Sequence, residues 1–306
     1  MIIMLSNKEK DVIENYLFDN YVNIIRYILS FDTSKDNTYT INLEYNECDN
    51  NMCNLSFEVL SSKIGNANGN FSLSEGFNVY LPKDLTINLI NKIKEHFTDK
   101  HLIIYSSFNR YRHIQTIQNE KFTFYTKLNN EEEEKAAAEF NKHINDGVKH
   151  ETNEVLLDKE DIEKYFVNNY INTIRYILTF SSENSKYSVN ISNKKCNNDT
   201  SLLEMSISPN VIGNVNNEPL IIKQFRAYLP SSLADNIVNS IRNHFEENHY
   251  IVYSSFNRIS HIQTLQNEKF TVCIVLNKDD EIAKSIDFNN KVNSTERHPT
   301  KVLKMI

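Results

Sequence analysis

A stretch of nineteen residues occurs twice in this chain, and no other feature restricts its fold as much. YSSFNRYRHIQTIQNEKFT begins at Tyr105 and YSSFNRISHIQTLQNEKFT begins at Tyr253. Sixteen of the 19 positions are identical; the differences are Tyr111 against Ile259, Arg112 against Ser260 and Ile117 against Leu265. The offset of 148 residues, or 149, carries well beyond this segment. IENYLFDNYVNIIRYILSF (Ile13–Phe31) matches IEKYFVNNYINTIRYILTF (Ile162–Phe180), and I-G-N-x-N recurs at Ile64–Asn68 and Ile212–Asn216. Self-similarity at a fixed period points to repeated structural units. The reading is α+β: a tandem duplication of a helix–antiparallel sheet domain in a pseudo-two-fold, two-lobed architecture. The 306 residues suit two domains of ordinary size. The expected boundaries are a first repeat at 1–145, a linker at 146–158, a second repeat at 159–293 and a flexible tail at 294–306.

Within each copy the hydrophobic spacing sets the order of elements. Tyr16, Leu17, Tyr21, Ile25 and Ile28 recur at Tyr165, Phe166, Tyr170, Ile174 and Ile177. Steps of mostly three and four mark one face of an amphipathic helix. Asp11 and Asp161 precede these runs, where the N-terminal dipole favours a carboxylate. Three strands are predicted next, at 39–45, 54–60 and 71–81, and again at 187–191, 201–207 and 220–229. The repeated I-G-N-x-N is read as a turn requiring positive φ. Each third strand ends in Tyr-Leu-Pro and leads to a second helix, at 85–97 and 233–245. The shared segment then predicts a meander: a strand ending near Phe108, a turn at Asn109–Arg110, a strand from His113, a tight turn at Asn119–Glu120 and a final strand from Lys121. That turn pairs Ile117 with Phe122 and Gln115 with Phe124. His113 and Gln115 then share the apolar row's side, and Thr116, Gln118, Lys121 and Thr123 take the other. AEFNKHIN from Ala138 and IDFNNKVN from Ile286 suggest a third, mostly exposed helix closing each copy.

Composition narrows the function. Net charge is −7, so the chain offers little of the phosphate neutralisation that drives nonspecific duplex binding. Asparagine occurs 45 times, dispersed among regularly spaced hydrophobes rather than in tracts. Its AT-rich codons, with those of Ile and Lys, fit a low-GC genome such as a large DNA virus, a protist or an AT-rich bacterium. Four cysteines (Cys48, Cys53, Cys196 and Cys273) form no zinc-type pair of Cys-x-x-Cys motifs, which suits a reducing compartment. The apolar start, Met1–Leu5, is shorter than a signal-peptide core, and no run approaches a membrane span. A soluble cytoplasmic protein with no cofactor, no metal and no membrane partner is expected.

The candidate site is the shared segment, because its polar residues recur where other polar positions have drifted. The candidates for binding, or for contact between repeats, are Asn109, Arg110, His113, Gln115, Gln118 and Lys121. Their counterparts are Asn257, Arg258, His261, Gln263, Gln266 and Lys269. Three explanations compete: turn and edge groups satisfied locally, an isologous interface between the copies, or a ligand site with Arg, His and Gln as donors. Paired H-I-Q-T motifs do not make a two-histidine phosphodiesterase. That chemistry needs His-x-Thr/Ser, so that both side chains share a strand face, whereas His113 and Thr116 are three apart, as are His261 and Thr264. Single-stranded nucleic acid could use Arg110, Lys121, Gln118 and Tyr125, but Tyr125 becomes Cys273 in the second copy. No Ser-His-Asp order, Rossmann fingerprint or phosphate-binding glycine loop occurs. The expectation is a noncatalytic interaction or structural protein with a protein partner or self-association between repeats; a single-stranded nucleic-acid-binding module and a phosphoester-processing enzyme are the alternatives.

Overall fold

A computed structural model describes residues 5–32, 37–62, 72–100, 104–109, 114–118, 122–127, 157–182, 185–210, 219–248, 252–257, 262–266 and 270–275. It also describes single positions between 131 and 139 and residue 283. The chain is mixed helix and sheet and divides into two compact units, residues 4–158 and 159–306.

In the first unit α1 runs Asn7–Phe31, six residues longer at its start than the hydrophobic spacing alone predicts. Ser6 explains the extension. Its hydroxyl accepts the Glu9 amide at 3.3 Å, while the Glu9 carboxylate accepts the Ser6 amide at 2.7 Å. This reciprocal capping box satisfies two amides that the first turn cannot pair internally. Strands β1 (Tyr39–Cys48), β2 (Met52–Ser61) and β3 (Leu73–Pro82) follow, then α2 (Lys83–Lys100) and strands β4 (Ile104–Asn109), β5 (Ile114–Gln118) and β6 (Phe122–Lys127).

The sheet order is β3-β2-β1-β6-β5-β4. All neighbours are antiparallel except β1 and β6, which run parallel with Ile41 opposite Phe124. The sheet is therefore mixed, which corrects the antiparallel expectation. The residues between β1 and β6 include α2 and four strands, and no tight turn dictates the direction of that pair.

The core lies between the sheet and the two helices. Burial along β3 alternates without a break, with Leu73, Glu75, Phe77, Val79 and Leu81 inward. Tyr21 of α1 meets Phe57 of β2 edge-on at 5.3 Å, and Phe57 stacks on Phe77 at 5.0 Å. Phe97 of α2 reaches Phe124 of β6 at 4.6 Å. All five rings are fully buried, and each contributes about 1.5–3 kcal/mol of transfer free energy. Lys10 and Asp84 tie α1 to α2 at 2.6 Å, and this bond holds the Asp84 carboxyl below its ordinary range.

The second unit has the same order of elements: α3 (Lys159–Phe180), β7 (Tyr187–Lys195), β8 (Thr200–Pro209), β9 (Ile221–Pro230), α4 (Ser231–Asn248), β10 (Val252–Asn257), β11 (Ile262–Gln266) and β12 (Phe270–Val275). Its sheet order is β9-β8-β7-β12-β11-β10, again with one parallel pair, β7 and β12. Phe166 of α3 packs on Phe225 of β9 at 5.1 Å.

Left-handed backbone occurs where asparagine and aspartate stand. Asn50 and Asn51 have φ of 59° each, and Asn198 and Asp199 have 61° and 52°. Two consecutive positive values match the type I′ turn, whose twist suits a hairpin. The Asn51 carbonyl then accepts the Lys83 amide at 2.9 Å, and the Asp199 carbonyl accepts the Ser231 amide at 2.9 Å. Each hairpin turn thus occupies the first orphan amide of the following helix. Both I-G-N-x-N segments lie outside the described residues. So do the tail and residues 146–156 of the expected linker. Of the expected closing helices, from Ala138 and from Ile286, residues 138 and 139 are helical, as are residues 131, 132, 134, 135 and 283 ahead of them; the positions beyond Glu139, and those from 284, lie outside the described residues.

Candidate functional site

The shared segment forms the last hairpin of each six-stranded sheet, with β4 and β10 as the end strands within their own units. Ile104 and Tyr105 pair with Gln118 and Ile117, but Phe108 and Asn109 pair with Gln115 and Ile114. Ser106 and Ser107 therefore stand opposite Thr116 alone: one extra residue, a bulge. The same jump falls between Tyr253 and Phe256. A bulge bends its strand and interrupts the row of outward backbone groups.

Hairpin β5–β6 differs from the expected register. Ile117 pairs with Phe124 and Gln115 with Thr126, so the tight two-residue turn at Asn119–Glu120 is replaced by a longer connection. The shift is two residues, an even number, and the pairing parity is kept. In the second unit Gln263 pairs with Ile274 and Gln266 with Thr271 in the same relative register.

These registers place half of the candidate residues. Asn109 ends β4 opposite Ile114, and Asn257 ends β10 opposite Ile262. Gln115 and Gln118 lie on the middle strand β5, as Gln263 and Gln266 lie on β11. Arg110, His113, Lys121, Arg258, His261 and Lys269 lie outside the described residues. Among the described residues, no group of three or more His, Cys, Asp or Glu is placed to hold a metal ion.

The outer sheet face, opposite the helices, is the second polar surface. In the first unit Tyr125, Asn42, Glu58 and Gly76 form one cross-strand row, and Glu44, Ser56 and Asn78 form the next. Glu44 and Glu58 are exposed and Tyr125 is half-buried. Two carboxylates beside the Tyr125 ring oppose a phosphate backbone on this face.

Sequence reasoning missed the buried polar groups. Glu75 of β3 and Asn20 of α1 are both buried, with the Asn20 amide donating to Glu75 Oε1 at 3.3 Å. At the matching positions Lys223 Nζ donates to Asn169 Oδ1, and both residues are again buried. The signal was present: a charge at an inward position of an alternating strand in both copies. A third cluster closes the first unit, where Tyr39, Asn37 and Asp32 are buried together. Burial pushes the Tyr39 hydroxyl well above its ordinary range, and its bond to the Asp32 carboxylate raises it further. None of the four cysteines is in a disulfide, and burial raises the Cys53 thiol. No protein-family model matches the chain, and no curated protein or solved structure compared with it matches either.

Proposed function

We propose that this chain is a noncatalytic interaction protein built from two copies of one α+β domain, and that it holds a protein partner through its β4–β5 and β10–β11 hairpins. The duplication is supported by one order of elements twice, a left-handed turn capping the second helix twice, and one parallel strand pair in each sheet. The observation that carries the functional reading is a coincidence of sequence and position. Nine of the 16 identical positions stand on the described end strands β4 and β5, and their counterparts on β10 and β11, bulged at the same residues.

A packing core alone restrains apolar positions and leaves surface polar ones to drift. An interface restrains both, since a donor left buried without its acceptor costs about 1–3 kcal/mol. The bulge interrupts the backbone row of β4, so addition of a long partner strand is disfavoured and recognition falls to the hairpin's side chains. Asn109, Arg110, His113, Gln115, Gln118 and Lys121, with their counterparts in the second unit, are assigned to that contact.

The test uses the intact chain and the double variant Arg110→Ala with Arg258→Ala. The expected result is capture of a specific protein from extract of the source cells by the wild type, lost in a variant that melts at the same temperature. Mobility shift with single-stranded DNA and RNA runs in parallel across salt concentrations. An oligonucleotide shift that weakens with salt and disappears in the double variant would replace this reading with the nucleic-acid one.

A further inference from the structure

The outer face of the second unit has a depression of about 300 Å³, at the lower end of the range of small-molecule sites, roughly 300–1,000 Å³. Strand register explains why it exists. Cys273, Asn190, Ser206 and Gln224 form a row across β12, β7, β8 and β9, and Ser192, Glu204 and Arg226 form the row beside it. Ile191, Met205 and Phe225 are buried, and the alternation turns the residues next to them outward. Cys273 and Ser206 in the first row and Ser192 in the second are small, and the longer Gln224 and Arg226 stand at the β9 rim. One repeat earlier the same places hold Tyr125, Glu58 and Glu44. Those three exchanges are large to small, while Ser56, Gly76 and Asn78 give way to the longer Glu204, Gln224 and Arg226, so space is gained toward β12 and β7 and a rim is raised toward β9.

The chemistry of the lining is specific. Arg226 Nε sits 2.7 Å from Glu204 Oε1, so the two charged groups among the described residues of the depression neutralise each other. Ser192 Oγ donates to the second Glu204 oxygen at 3.4 Å, and Asn190 Nδ2 donates to Ser206 Oγ at 3.2 Å. Apart from the Cys273 thiol, the remaining polar side chains are neutral amides and hydroxyls, able both to donate and to accept. The Arg226–Glu204 pair leaves the depression without net charge for an ionic ligand to recognise. A ligand rich in hydroxyl groups matches the amides of Asn190 and Gln224 and the hydroxyls of Ser192 and Ser206. We propose that this depression is a binding site for a small neutral polyol of the sugar class. It is distinct from the hairpin contact, and nothing in it depends on that reading.

The experiment is titration of the intact chain, followed by amide chemical shifts and calorimetry, with maltose and myo-inositol as probes and sulfate and glycine as ionic controls. Saturable binding of at least one polyol is expected, with a dissociation constant of about 1 mM, as suits a few neutral hydrogen bonds. Cys273→Tyr and Ser206→Glu restore the bulk of the first unit and should weaken that binding at least about tenfold while the melting temperature holds. Gln224→Ala, at the exposed rim, provides an independent variant should either filling change disturb folding; it too should weaken binding. The proposal is overturned if neither polyol saturates, if sulfate or glycine binds instead, or if the filled variants bind as the wild type does.

Discussion

The Tyr39 hydroxyl donates to the Asp32 carboxylate across 2.5 Å, joining the start of β1 to the residue that ends α1. Asn37 donates to the same carboxylate, Ser61 Oγ donates to Asn37 Oδ1 at 2.7 Å, and the Leu73 amide donates to the Tyr39 oxygen at 3.4 Å. One helix end and three strand ends therefore meet on a single buried acid. The second unit keeps the tyrosine as Tyr187 but carries Ser181 in place of the acid. Removing the hydroxyl in Tyr39→Phe leaves Asp32 short of a donor in a buried site. A loss of about 1–3 kcal/mol is expected, read as a lower urea midpoint at unchanged slope. A midpoint equal to the wild type would show that the network contributes nothing.

Alkaline pH should erode stability through buried tyrosines. Burial is the first cause raising Tyr27, Tyr39 and Tyr170 above the ordinary tyrosine value of 10.0, and the Asp32 charge adds to it for Tyr27 and Tyr39. A group whose folded value is raised keeps the folded state favoured below its unfolded value and withdraws that contribution as pH climbs past it. Melting temperature should thus be insensitive to these groups below pH 10 and fall above it, and Tyr170→Phe should flatten the fall. An identical alkaline profile in Tyr170→Phe would exclude this residue as a cause.

The type I′ turn gives a local prediction. A β-branched residue is strained at the left-handed φ of 59° held by Asn51. Asn51→Val should cost about 1–3 kcal/mol, whereas Asn51→Gly should be close to neutral. Denaturant titration of the two variants checks the difference, and equal stability would contradict the turn assignment.

Much of this fold was legible in the sequence, and the misses have physical causes. Tyr16, Leu17, Tyr21 and Ile28 lie buried on α1 as their spacing predicts. The start of α1 was missed although Ser6 and Glu9 spell the capping box, because the first turn is polar and carries no hydrophobic period. The positive φ of Asn50 and Asn51 between β1 and β2 was not foreseen, because asparagine is common throughout the chain and does not by itself mark a left-handed position. The parallel pairing of β1 with β6 has no local signature, since distant residues decide it. The depression beside Arg226 was illegible for the same reason: its small residues come from three strands and only register brings them together. Of the candidate site, the position of the hairpin could be read, but its bulge and exact register could not.

The central claim is that the two end hairpins hold a protein partner, and hydrogen exchange on the intact chain tests it most directly. Amides of Ile104–Asn109 and Val252–Asn257 should exchange more slowly once the captured partner is added, with the double variant Arg110→Ala and Arg258→Ala showing no such slowing. Unchanged exchange in both strands with the partner bound, or protection confined to other elements, would contradict the account.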